Sequence, residues 1–386
     1  MLFRSSGPAH GLPGETVTVS WTVANRGEAA TRSSWVDRLY LSVDGSLTGA
    51  TLLAEVPHSG ALANDASYAV NRQLTLPSLA DGDYRLLVVS DSSNQVFEQS
   101  RESNNQAVAD HPLRIVHPDL TVSSLTVPTT AVSGSTLEVQ WAVTNQGTAD
   151  ASGVWVDRFY LSQDEAVDSG DRLLLERTHT GSLASGATDP QTGQLVLPVD
   201  AFGPWHLLVA TDAANQLSER NAETNNTDSR PIAIDLAPYA DLVVSLVTVP
   251  DEIIADPAYL SVGWTVSNSG TGAGLTAQWV DRVIASPNGI IGDADDITLG
   301  EFGHDGFLQP DAKYSRNETL ILPPAFSGRY RLFVRTDATG RVFENGLESN
   351  NVDQAQHAFD VMPIPYANLK VSQASADGNA ESGGRL

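Results

Sequence analysis

The chain has 386 residues, 41% hydrophobic and 18% charged, which are globular values and argue against wholesale disorder. Lys and Arg number 22 against 47 Asp and Glu, a net charge of −25, so nucleic acid and anionic membrane surfaces are poor partners and cations are the natural counterpart. Acidity that only keeps a long extracellular protein soluble explains the same balance. With no cysteine there is neither a disulfide framework nor thiolate chemistry.

No apolar run approaches the roughly 20 residues that span a bilayer, so no membrane insertion is expected in this segment. The first residues, MLFRSSGPAHGLPGE, lack the apolar stretch of a signal peptide.

In chain order, a strand opening with Asp-Leu is written at Asp119-Leu120-Thr121-Val122 and Asp241-Leu242-Val243-Val244, and begins again at Asn368-Leu369-Lys370-Val371. The first repeat lacks it. The chain therefore reads as a fragment of a longer array, with repeats at 1–116, 117–237 and 238–364 and the incomplete start of a fourth at 365–386. The junctions, such as His117-Pro118-Asp119, are short and Pro-bearing, which predicts an elongated array of stiffly joined units.

Next comes a strand of period two: Val17, Val19, Trp21, Val23 in repeat 1, with Trp141 and Trp264 at the matching places. One face is buried, and the tryptophans belong to the core rather than to a sugar-stacking platform. Each copy ends in Asn, one residue, Gly (Asn25 and Gly27, Asn145 and Gly147, Asn268 and Gly270), a turn signal.

A Trp-Val-Asp-Arg strand follows at 35–38, 155–158 and 279–282. Adjacent Asp and Arg point to opposite faces, so one of them lies near the core and requires a partner. A turn then carries Asp164, Asp168 and Asp171 in repeat 2 and Asn288, Asp293, Asp295 and Asp296 in repeat 3. The spacing is not that of an EF-hand, so acidic turn chemistry is the first reading and an ion the second.

The pattern Glu, two residues, His, one residue, Gly comes after it: Glu55 and His58, Glu176 and His179, Glu301 and His304. On a strand the pair faces opposite ways, which predicts a hydrogen-bonded edge or turn histidine rather than a metal ligand. A strand ending in Leu-Pro and a Gly-x-aromatic entry lead to the most repeated stretch.

That closing stretch runs Asp91 to Asn105, Asp212 to Asn226 and Asp337 to Asn351. Asn94 and Asn215 are matched by Gly340, the mark of positive φ at a turn, and apolar residues on both sides predict a hairpin. The copies then read Glu98, Glu102, Asn104, Asn105; Glu219, Glu223, Asn225, Asn226; and Glu344, Glu348, Asn350, Asn351. With Asp91, Asp212 and Asp337 they offer the oxygen ligands calcium prefers. The alternative is structural: the asparagines cap backbone groups, and a glutamate pairs with Arg38.

A last strand near Leu113, Ile232 and Phe359 ends each repeat. About seven short strands per 120 residues without helical periodicity predict an all-β fold of tandem immunoglobulin-like sandwiches. The opening Asp-Leu-x-Val, the Trp-x-Val-x-Asn-x-Gly strand and the closing Val-x-Glu…Glu-x-Asn-Asn together resemble the CARDB modules (cell adhesion related domain found in bacteria), in three copies. The resemblance implies a sandwich repeated in surface or secreted proteins, acting as adhesive or scaffolding units on a protein or glycan ligand it does not name.

No HExxH, GxSxG, P-loop or dinucleotide fingerprint is present, and no Ser-His-Asp set follows from spacing, so no enzyme is expected. Accessory modules that bind carbohydrate or protein for an enzyme elsewhere in a longer chain are the alternative. Exposed aromatics in a row would favour binding; the aromatics here fall on alternating apolar strands.

Overall fold

The protein is described from a computed structural model, covering residues 8–99, 101–219, 223–323, 325–364, 368–373 and 375. Among the described residues it is all β: strands account for the regular structure apart from single-turn 3-10 helices at Glu102–Asn104 and Glu348–Asn350. Among the described residues no helix is long and apolar enough to cross a membrane. The chain divides into two units, 1–235 and 236–386.

Repeat 2 shows the architecture in full. The opening strand Leu120–Thr126 pairs antiparallel with the Trp strand Thr136–Asn145, whose other edge carries Thr188–Val196. The facing sheet runs Thr130–Val132, Thr227–Asp235, Gly203–Ala210, Ala151–Ser162, Arg172–Leu183. Repeat 3 repeats this order, from Leu242–Thr248 on the Trp strand Tyr259–Asn268 to Ile297–Asp305 at the far edge of the second sheet. In repeat 1 the Trp strand Thr16–Ala24 pairs only with Ser67–Thr75 among the described residues.

Alternation places the core. Val17, Val19, Trp21 and Val23 are buried between exposed or half-buried neighbours, and Trp21, Trp141 and Trp264 are each 1% exposed. Each repeat has its own apolar core, around Trp21 with Leu39 and Ile115, Trp141 with Phe159 and Ile234, and Trp264 with Phe359 and Val361.

Three expectations are corrected here. The closing stretch is not a hairpin: after the strand Gly82–Val89, residues 91–99 turn and loop, Glu102–Asn104 make one 3-10 turn, and the next strand begins at Gln106. Val96 and Val342 are buried from that loop, not from a strand. The expected fourth opening, Asn368–Val371, carries no strand, and Leu369 and Val371 are 94% and 83% exposed, because among the described residues no edge pairs with it. Finally, Arg38 pairs with Glu55 on the neighbouring strand at 2.7 Å, as Arg158 does with Glu176 and Arg282 with Glu301, so no closing glutamate is its partner.

Candidate functional site

The Asp of Trp-Val-Asp-Arg is the buried member of its pair: Asp37, Asp157 and Asp281 are at most 1% exposed. A buried carboxylate is tolerable only when donors surround it. Asp37 accepts from Trp21 Nε1, Trp35 Nε1, Tyr68 Oη and Ser90 Oγ. Asp281 accepts from Trp264 Nε1 at 2.8 Å, from Tyr314 Oη and from Thr336 Oγ1 at 2.7 Å. In repeat 2 the tyrosine's place, opposite Val143, is taken by Asp189, and His179 Nε2 supplies the bond to Asp157 at 2.8 Å beside Trp141 and Thr211.

The histidines of the Glu-x-x-His pattern sit directly across from the Trp of Trp-Val-Asp-Arg: His58 from Trp35, His179 from Trp155 and His304 from Trp279. His179 and His304 stack on their tryptophans at centroid distances of 5.0 and 4.0 Å, and His58 lies tilted by 33° against Trp35 at 4.1 Å. The three histidines lie on the edge strand of the second sheet, as expected, within an aromatic pile, and His179 and His304 are hydrogen-bonded, to Asp157 and to the Gly306 carbonyl. Burial opposes the charge on His179, but Asp157 and then Asp189 outweigh it, so its pKa is raised. Burial pushes His304 down instead.

The closing segment begins with an Asp in the left-handed region: φ is 46° at Asp91, 43° at Asp212 and 39° at Asp337. Its two carboxylate oxygens accept the backbone N–H groups four and five residues on, Gln95 and Val96, Gln216 and Leu217, Arg341 and Val342. Asn94, Asn215 and Gly340 hold the expected positive φ, at 51°, 48° and 60°. The aspartates therefore close the turn, as a side chain satisfying backbone donors that no ladder reaches.

The glutamates and asparagines that follow converge. Glu219 Oε1 accepts the Leu120 amide of the opening strand at 2.7 Å and Oε2 accepts Asn226 Nδ2 at 2.9 Å. Glu344 Oε1 accepts the Leu242 amide at 3.2 Å. Asn225 and Asn350 donate to Asp119 and Asp241, the first residues of the openings. Asn351 and Asn105 donate to Glu348 and Glu102. Among the described residues the side-chain amides of Asn105, Asn225, Asn226, Asn350 and Asn351 thus donate to carboxylates rather than to backbone groups. Burial is the main reason Glu219 is raised to about 7 and Glu344 to about 8, and the neighbouring Glu223 and Glu348 push in the same direction. Burial also raises Glu98.

Asn145 and Asn268 anchor the opening from the other side: the Oδ1 of each accepts the amide of Asp119 or Asp241 and of its own turn glycine. A Cβ on Gly147 would meet His117 O at 2.4 Å, so glycine is required for the close approach. Asp164, Asp168 and Asp171 stay apart from the closing segment, bonding backbone amides of their own turn. Asp293, Asp295 and Asp296 gather in the matching turn of repeat 3, the first two exposed.

Sequence reasoning missed Asp119 and Asp241 as partners of the closing asparagines, and Asp189 as partner of His179. The Asp-Leu opening was the visible signal for the first pair.

No curated protein matches the chain. Among solved structures it is similar to the CARDB domain of the PF1109 protein from Pyrococcus furiosus, described as a complex with di-metal ions: 21% identity, TM-score 0.25, over 31% of this chain and 90% of that one. It is also similar to trypsin-activated alpha-2-macroglobulin from Escherichia coli (14%, TM-score 0.20, 93% of this chain and 23% of that one). Red sea bream transglutaminase is a further match (13%, TM-score 0.21, 72% and 37%). The CARDB family model matches residues 3–109 and 117–230, more than half of the sequence, and the chain belongs to the CARDB family.

Proposed function

We propose that the chain is a non-enzymatic scaffold: three tandem copies of the CARDB module, at 1–116, 117–237 and 238–364, serving as a structural or adhesive region of a secreted or cell-surface protein. One observation carries this reading. In all three repeats a core aspartate is held by Trp and hydroxyl donors, and three near-equal copies of one centre suit bearing load or spacing better than a single reaction. The third copy lies outside the matched segments; its support is the strand order and the aspartate centre it shares with repeat 2.

Pulling the whole chain by its ends tests the proposal. Three unfolding events are expected, each releasing about 40 nm, the extended length of about 120 residues. Extension without resisted, separate events would overturn it.

A binding role has one observation in its favour. Repeat 1 has a groove of about 460 Å³ lined by Asn25, Trp35, Glu98 and Asn105, beside Phe97, which is 91% exposed. Retention on a glycan or protein array that is lost in Phe97→Ala would support accessory binding modules instead.

A further inference from the structure

The end of each closing segment holds buried oxygens that protein donors do not satisfy. In repeat 3, Glu344 is 0% exposed; Oε1 takes the Leu242 amide, and Oε2 has no donor. Asn351, 4% exposed, gives its Nδ2 to Glu348, which leaves its Oδ1 without one. Asn350, bonded to Asp241 through Nδ2, has an orphaned Oδ1 as well.

Repeat 2 reproduces the pattern in part, with both Glu219 oxygens hydrogen-bonded and the orphans on its neighbours. Glu219 is 2% exposed and Asn226 3%, and the Asn226 Oδ1 and Glu223 Oε2 are both unpartnered. Among the described residues no Lys, Arg or His forms an ion pair with Asp212, Glu219, Glu223, Asp337, Glu344 or Glu348.

Every orphan at these two places is an acceptor oxygen and none is an N–H. A buried carboxylate with neither counter-ion nor full hydrogen bonding is expensive. A proton serves one or two of these oxygens, whereas a hard cation serves several at once. The set, carboxylates plus a side-chain amide with no nitrogen or sulfur, matches calcium rather than zinc, and its irregular mixture suits calcium better than octahedral magnesium.

We propose that a calcium-class divalent cation binds at the closing segment of repeat 2 through Glu219, Glu223 and Asn226, and at that of repeat 3 through Glu344, Glu348 and Asn351, with water completing the shell. Glu219 and Glu344 also hold the opening-strand amides, so each ion latches the first strand of its repeat to the last loop. Repeat 1 has Glu98, Glu102 and Asn105, but among the described residues no opening-strand amide reaches Glu98, and its site is the weaker one. The proposal stands whether the repeats act as scaffold or as binding modules.

Thermal unfolding and calorimetric titration of the whole chain, in chelator, calcium chloride or magnesium chloride, test it. Two tight calcium sites are expected, with an unfolding midpoint raised by about 10 °C at a hundredfold excess over Kd. Magnesium should act only at much higher concentration. The double variant Glu219→Gln with Glu344→Gln should lose the calcium shift, and in chelator the change at 344 should leave repeat 3 no less stable, because the new amide stands where an oxygen had no donor. Glu223→Gln with Glu348→Gln, at less buried positions, should weaken calcium at least tenfold. Coincident melting curves in calcium and chelator would overturn the proposal. So would a calcium shift that survives in both double variants, or one that disappears in Asp293→Asn with Asp295→Asn, which leaves the closing segments intact.

Discussion

Asp157 and Asp281 occupy the same place on the same strand, yet one is held by a histidine and the other by a tyrosine. In repeat 3, Tyr314 reaches across the sandwich to Asp281 and also accepts from Trp279 Nε1. In repeat 2 that position is Asp189; Trp155 Nε1 is left without an acceptor, and His179 turns to Asp157, with Asp189 at 3.5 Å from its other ring nitrogen. The difference teaches that what the core requires is a donor at the buried carboxylate, not a particular residue. The neighbouring histidine's pKa is also shifted in opposite directions in the two repeats, up at His179 and down at His304.

Deleting the shared part of the two centres should have the largest effect. Trp141→Ala or Trp264→Ala removes a side chain that is 1% exposed and a donor to the aspartate, and should destabilise its own repeat by about 3–5 kcal/mol. Hydrogen exchange of that repeat's peptides in the intact chain measures it. Equal loss of protection in all three repeats would show that they do not open separately.

Tyr314→Phe breaks the comparison on one side only. It strips Asp281 of one donor and Trp279 of its acceptor, and about 1–3 kcal/mol of repeat 3's protection should be lost, while repeat 2, which has no such tyrosine, is unaffected.

The pH dependence should have opposite signs in the two repeats. His179 has a raised pKa, so its contribution to repeat 2 is fully present below the unfolded value of about 6.5 and fades as pH rises through the folded pKa. His304 has a lowered pKa, so repeat 3 keeps its share above about 6.5 and loses it as pH falls below that value. Proton NMR of the two imidazoles should show His179 titrating above His304. Asp189→Tyr should bring His179 down toward the behaviour of His304; an unchanged titration would show that Asp189 has no part in the difference.

The smallest effect is expected where the two repeats agree. Arg282 pairs with Glu301 on the solvent face, its side chain 31% exposed, and Arg282→Ala should cost less than about 1 kcal/mol by the same exchange measurement.

Much of this was legible before any coordinates. Alternation around Trp21, Trp141 and Trp264 marked the buried face, because a strand shows its two sides in period two. The exchange of Asn94 and Asn215 for Gly340 marked positive φ, because only backbone strain makes those two residue types equivalent. Adjacency of Asp and Arg on one strand showed that one of them needs a partner inside. The hairpin expected in the closing stretch was an error of the same logic: Val96 and Val342 look like strand residues because they are buried, but the aspartate side chain, not a ladder, satisfies the backbone that follows it.

The sequence by itself thus determined the strand faces, the turn residues and the existence of a buried charge, all of which depend on neighbours within a few positions. Tertiary structure alone decided the partners. The donors to Asp157 come from 16, 22 and 54 residues away, and the amides that meet Glu219 and Glu344 from 99 and 102 residues away. Periodicity says which way a side chain points, but what it meets there depends on the register of other strands and on the stacking of two sheets, and no local pattern records either.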